Sequence, residues 1–428
     1  MKIITAEQFK LEKKDDTNDI LYDKKLNDQV VEIIQQVKEQ GDTALYHLTE
    51  KFDNVKLDQL TVSQAELDEA NELVDEQFIS DLRQAKENIA AFHQLQKEET
   101  WLTQPRQGIT LGQKVTPIDR VGIYVPGGKA AYPSTVLMNV IPAVIAGVEK
   151  IVITTPPGTD GKVNPYVLVA AKESGVDTIY KIGGAQAIAA LAYGTETIER
   201  VDKIVGPGNA FVALAKKWVF GDVAIDMIAG PSEICVVADE TAPVPYVAAD
   251  LLSQAEHDEL ASSICVTTSK TLAEELQIEM KRQTEKLERK AIAEVSLKRN
   301  GKIIYARNLE EALEVVNLIA PEHLQLMIDS PAEHIDKVKH AGAIFLGNYS
   351  PEPLGDYFAG PNHTLPTSGT ARFASPLGVY DFMKKSSIIR YAKEPLQQAA
   401  DSIIHIANVE GLTAHAYSIQ IRKEDHHA

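Results

Sequence analysis

Residues 120–128, RVGIYVPGG, mark where the texture of this chain changes. A short Val/Ile-rich run that closes on glycines reads as a strand delivering its last residue into a tight turn. The same design recurs in KIVITTPPG (150–158), TIYKIGG (178–184), KIVGPG (203–208), AIDMIAGP (224–231) and EICVVAD (233–239). Ala-rich helical runs separate these strands, so the spacing predicts right-handed βαβ units and a parallel sheet. Ligands of such sheets bind at the carboxyl ends of the strands, which directs attention to the glycine turns.

Upstream, residues 1–115 read as largely helical. VVEIIQQVKEQGDTALYHLTEKFD (30–53) has apolar residues at helical spacing and breaks at Gly41, and residues 65–98 read as one longer, charge-laced helical stretch. Downstream, a second series follows: a helix holding Gln254 and His257, strand SSICVTTS, a charged helix through 271–299, strand GKIIYA, helix EEALEVVNLIAPEH and strand AGAIFLG. Beyond about residue 373 the pattern is helical again, ending in a charged tail where His426 and His427 read as solvated. The two series predict a two-domain α/β enzyme with a cleft between the domains.

The bulk numbers narrow the classes. A chain of 428 residues exceeds one ordinary core, and 44% hydrophobic with 24% charged residues is the composition of a soluble globular protein. A net charge of -18 argues against a nucleic-acid partner, which needs a basic face. The most apolar run, 137–149, is interrupted by Asn139 and Pro142 and is too short to span a bilayer. The charged N-terminus does not read as a secretory signal. Cys235 and Cys265 lie in β-branched runs and read as buried strand residues without a disulfide framework, as in a reducing cytoplasm.

Several stretches could carry chemistry. GPGNAF (206–211) follows a strand and opens a helix, as a phosphate-facing turn would, but Phe211 replaces the third glycine of the dinucleotide fingerprint. Tyr124, Gln186 and Asn209 stand at neighbouring strand ends, available to a cofactor. In DLLSQAEHD (250–258), Gln254 and His257 are about one helical turn apart, either core groups or half of a metal site. APEHLQL (320–326) sets Glu322 beside His323, either a solvated helix start or two proton-transfer groups in one pocket. LGDYFAGPNHTLPTSGTARF (354–373) carries Asp356 and His363 in a long glycine- and proline-rich loop of the kind that serves function. VEGLTAHAYSIQIR adds Glu410 and His415 near the chain end. Two imidazoles with a carboxylate and an amide would suit zinc, although the spacing is unlike a compact zinc finger.

SQAEH, PEHL, the GDYFAGPNHTLPT loop, GPGNAF followed by GPSE, and EGLTAHA occur together and in order, and this ordered set resembles the L-histidinol dehydrogenase family over essentially the whole chain. The resemblance implies an NAD-dependent homodimer with one Zn2+ per subunit that oxidises L-histidinol through the aldehyde to L-histidine. It implies Gln254, His257, Asp356 and His415 as zinc ligands and Glu322 and His323 as the acid–base pair, His323 with a pKa near working pH. Ser232, His363 and Glu410, with His323 and the ligands, would contact substrate; Tyr124, Gln186 and Asn209 would contact NAD. It further implies two incomplete Rossmann-like domains, one of 23–115 with 236–372 and one of 116–235. An N-terminal arm (1–22) and a C-terminal helical segment (373–428), exchanged between subunits, would complete the chain. Two rival readings are a cysteine-dependent aldehyde dehydrogenase, which needs a reactive thiol, and a zinc hydrolase of a small amide or ester, which needs no NAD. A non-catalytic two-domain binding protein would explain the cleft but not Glu322–His323.

Overall fold

The computed structural model describes residues 1–12, 23–127, 131–176 and 178–424; His426 and His427 lie outside the described residues. The chain divides into two compact units, one of Met1–Gln96 with Ile118–Phe382, the other of Lys97–Pro117 with Met383–Ala428. The strands, in chain order, are β1 Lys2–Thr5, β2 Trp101–Arg106, β3 Ile109–Pro117, β4 Arg120–Tyr124, β5 Lys150–Thr154, β6 Ile179–Tyr180 and β7 Lys203–Val205. There follow β8 Ala224–Ile225, β9 Glu233–Ala238, β10 Ser262–Thr267, β11 Lys302–Tyr305, β12 His323–Met327, β13 Ala343–Leu346 and β14 Met383–Tyr391.

The first unit holds two fully parallel sheets, as the glycine-ended strands predict. In the five-stranded sheet the order is β6-β5-β4-β7-β8. The chain walks outward from β4 to β6 and then returns to β7 on the other side of β4. The crevice where a doubly wound sheet reverses therefore opens between β4 and β7. The six-stranded sheet has the order β1-β11-β10-β9-β12-β13, with its reversal between β9 and β12. Both faces of this sheet are covered. Cys265 belongs to the core on one face and Cys235 to the core on the other, because β10 and β9 pair in a register that sets Cys265 opposite Val236. Both thiols are free and buried. Burial pushes Cys235 well above the ordinary thiol range and Cys265 up to about 12.

Several elements differ from the pattern reading. β1, in the stretch read as largely helical and as an N-terminal arm, pairs along its length with β11, since Lys-Ile-Ile-Thr is β-branched and short. Residues 65–98 and 271–299 are each two helices rather than one. Gln64–Leu73 ends before Val74, and Asp75 caps Glu76–Gln94 by accepting from the Phe78 N–H. Lys270–Thr284 and Lys290–Arg299 are separated by a short turn. The C-terminal segment, expected to be helical, contains the nine-residue β14, which pairs antiparallel with β3, itself paired with β2. Helices Lys393–Val409 and Thr413–Lys423 follow and pack on each other.

Candidate active site

Because β9 and β12 are parallel neighbours, their first residues share one edge of the six-stranded sheet, with His323 in register with Ile234. Glu322–His323 is thus not a solvated helix start. The preceding helix stops at Ile319, Ala320 takes a left-handed conformation (φ 52), and the chain turns into β12. Glu322 and His323 are both buried. Glu322 accepts a 2.8 Å hydrogen bond from the Glu233 N–H, and the His323 Nδ1 lies 3.0 Å from the Glu233 carbonyl oxygen and 3.5 Å from Glu322 Oε2. On the opposite side of the ring, Nε2 faces Asp356 Oδ1 at 3.8 Å and Glu352 Oε1 at 3.9 Å.

These contacts set the charges. Burial pushes Glu322 up to about 8. Burial alone would lower His323, but the carboxylates of Glu322, Asp356 and Glu352 around the ring lift it to about 10, above the working range anticipated from sequence. Burial would likewise raise Asp356, yet its contacts with His323 and His363 hold it down at about 2. Glu352, buried beside the ionised Asp356, is pushed up to about 8.

Gln254 occupies the last turn of helix Val244–Ala255, and His257 lies beyond the helix end, its N–H donating to the Gln254 carbonyl at 3.2 Å. The helix expected to carry both therefore ends between them. Gln254 is 1% exposed, with an Oε1 that has no hydrogen-bond partner, whereas His257 opens to solvent. His257, Glu352 and Asp356 each present one ligand atom within 4.8 Å of the others. Asp356 is carried not by an open loop but by the short helix Glu352–Tyr357. Its backbone oxygen lies 3.1 Å from His363 Nδ1, and its Oδ1 lies 3.8 Å from the same nitrogen. Glu352 is the member that pattern reading missed. A glutamate after Pro351 at a helix start looks like an ordinary first-turn acid, and only its burial distinguishes it.

The other candidates gather at the carboxyl edge of the five-stranded sheet. Tyr124 ends β4 and its hydroxyl accepts from the Gly184 N–H at 3.1 Å. Gln186 is buried in the first turn of helix Gly184–Tyr193. Asn209 caps helix Ala210–Val219 by accepting from the Phe211 and Val212 N–H groups. The segment 226–232 runs from the carboxyl end of β8 to the amino end of β9. One cavity spans the two edges, lined by Gly206, Pro207 and Met227 on one side and Ser232, Glu322 and His363 on the other. The carboxyl-end rule therefore describes the five-stranded sheet only; the six-stranded sheet offers its amino edge. Glu410 and His415 belong to the second unit, Glu410 closing helix Lys393–Val409 and His415 on Thr413–Lys423, both exposed.

Both the fold and the sequence match those of known proteins. The structure aligns with the crystal structure of histidinol dehydrogenase from Elizabethkingia anophelis at a TM-score of 0.94 and 39% identity, covering 99% of this chain and 98% of that one. The sequence is 58% identical over 428 residues to histidinol dehydrogenase of Oceanobacillus iheyensis, covering 100% of both chains. It is 58% identical over 391 residues to that of Bacillus subtilis, covering 91% of this chain and 92% of the relative. The model of the histidinol dehydrogenase family matches residues 17–423. Two doubly wound parallel sheets facing one buried acid–imidazole cluster make this an α/β oxidoreductase of the NAD-dependent class. The chain belongs to the histidinol dehydrogenase family, whose place is in histidine biosynthesis.

Proposed function

We infer that this chain oxidises L-histidinol to L-histidine in two successive NAD-dependent steps, through an aldehyde that stays in the cavity. The observation that carries the reading is His323, buried between Glu322 on its Nδ1 side and Asp356 and Glu352 on its Nε2 side, beside the cavity shared by both sheet edges.

The residues present fit a divalent cation. Gln254 offers a buried oxygen without a partner, three residues before His257, which belongs to a three-member ligand group. Gln254, His257 and Asp356 would hold zinc, with His415 as a fourth ligand. Zinc would supply Lewis acidity and a fixed point for the imidazole and amine of the substrate. NAD would supply the two-electron acceptor, held against Tyr124, Gln186 and Asn209. Ser232, His363 and Glu410 would orient the substrate. His323 takes the alcohol proton in the first oxidation; it can do so once a bound cation balances the acids that otherwise keep its ring protonated. Glu322 takes the proton of the water that adds to the aldehyde, and the resulting diol undergoes the second oxidation. Enclosure protects the amino-aldehyde between steps.

The protein works as a cytoplasmic homodimer in which Glu410 and His415 serve the neighbouring subunit. Exposed Ile406, Val409 and Tyr417 on the same C-terminal helices support such a contact. Among the described residues no helix is long and apolar enough to cross a membrane. The deciding assay mixes protein with L-histidinol and excess NAD and counts NADH per substrate consumed. Two per substrate is the expected result; none, from a zinc-loaded protein, favours the hydrolase.

A further inference from the structure

The cavity has a second built feature that the reaction does not use directly. Lys216, on the inward face of helix Ala210–Val219, and Asp226, just after β8, form an ion pair whose side chains are 2% and 1% exposed. The further hydrogen bonds of the two side chains reach Gly206, in the turn after β7, and Met227, in the segment after β8. The Lys216 ammonium donates to the Gly206 carbonyl at 2.9 Å. Asp226 Oδ2 accepts from the Gly206 N–H at 2.8 Å, and Oδ1 accepts from the Met227 N–H at 2.6 Å. Both peptide groups of Gly206 are thereby fixed. Gly206 has φ +111, and a Cβ there would run into the Tyr124 carbonyl oxygen at the end of β4. The turn is held at the β4/β7 reversal of the sheet, where doubly wound folds take their nucleotides.

A buried ion pair is a poor device for stability, since desolvation consumes what the attraction gains and an apolar pair of similar size often does as well. Its value lies in fixing one geometry. We propose that Lys216 and Asp226 are positioning residues for the dinucleotide: they hold the Gly206–Asn209 turn in the one conformation that leaves room for a nicotinamide dinucleotide between the ends of β4 and β7. This rests on the reading that NAD occupies the turn. Both side chains of the pair are buried behind the turn. The pair acts through Gly206, and by way of Met227 it steadies the segment that continues to Ser232 on the substrate side.

The test is the apolar double variant Lys216→Met/Asp226→Leu, with Asp226→Asn as a second variant that preserves volume. Melting temperature, KM for NAD, KM for histidinol and kcat are measured for each. The double variant should melt within a few degrees of the parent and show KM for NAD raised tenfold or more, with KM for histidinol changed less than threefold. Asp226→Asn should move KM for NAD in the same direction. A folded double variant with the parent KM for NAD overturns the proposal, as does an equal rise in both KM values. If the double variant does not fold, Asp226→Asn decides by the same split. Failure of the underlying reading looks different: the unaltered protein would then form no NADH from histidinol.

Discussion

Replacing Gln254 with Met should separate stability from metal binding, because its buried oxygen and its proposed part as a ligand pull in opposite directions. Gln254 is 1% exposed and its Oε1 is buried without a partner. Such an oxygen loses its hydration on folding and gains nothing in return, at a cost of about 1–3 kcal/mol. Methionine is unbranched, of similar length and apolar, so Gln254→Met removes that penalty while leaving no cavity worth counting. Unfolding entropy for a unit of this size is about 0.8 kcal/mol per kelvin, so the metal-free variant should melt roughly 1–4 °C above the metal-free parent. With zinc the order should reverse. The parent is stabilised by everything that binds its folded state, whereas the variant, short of one oxygen ligand, should bind zinc at least tenfold more weakly, a loss of about 1.4 kcal/mol or more. Differential scanning calorimetry in chelator and in zinc, with affinity from competition against a chromophoric chelator, reads both effects. Undiminished zinc affinity, or a metal-free variant that melts below the parent, would refute the reasoning.

Two further outcomes follow from buried groups elsewhere. Cys235→Ala and Cys265→Ala should each keep more than half of kcat, and neither thiol should react with a thiol reagent in the native protein, because burial raises both thiols; a hundredfold loss with the fold intact would restore a cysteine mechanism. His93, fully buried with Nδ1 2.8 Å from Gln96 Oε1 and an unpartnered Nε2, has its pKa lowered by burial. The unfolded chain therefore binds the proton that the folded chain refuses, so this contribution is whole above the unfolded value near 6.5 and is lost as pH falls below it. Stability of the parent should drop faster than that of His93→Gln between pH 6.5 and 5, by at most about 1.4 kcal/mol per pH unit; parallel pH profiles would rule this out.

Strands that announce themselves by β-branched runs and a closing glycine, such as β4 and β5, were legible along the chain. β12 was not. Its His-Leu-Gln-Leu-Met carries two polar groups and follows a helix whose periodicity extends smoothly toward Pro321, and only the left-handed Ala320 breaks it. β2 and β3 failed for a different reason: β2 is exposed along its whole length, so no apolar alternation was available to read. Gln254 and His257 read as neighbours on one helix, but the helix ends between them, at Ala255. Asp356 stood out through its loop, whereas Glu352 resembled any first-turn acid, its burial being a product of tertiary packing.

The six-stranded sheet turns its amino edge toward the chemistry, and that choice frees the opposite rim. The turns at 239–243, 268–269, 306–308 and 328–330 close β9, β10, β11 and β12 on the side away from the cavity, tied mainly among themselves, as where the Asp329 N–H donates to Asp239 at 2.8 Å. In most parallel-sheet enzymes those turns are the catalytic loops, and their length is under strict control. Here they are structural hems, and a lengthening or a tag placed in them should disturb the reaction less than one at the amino edge.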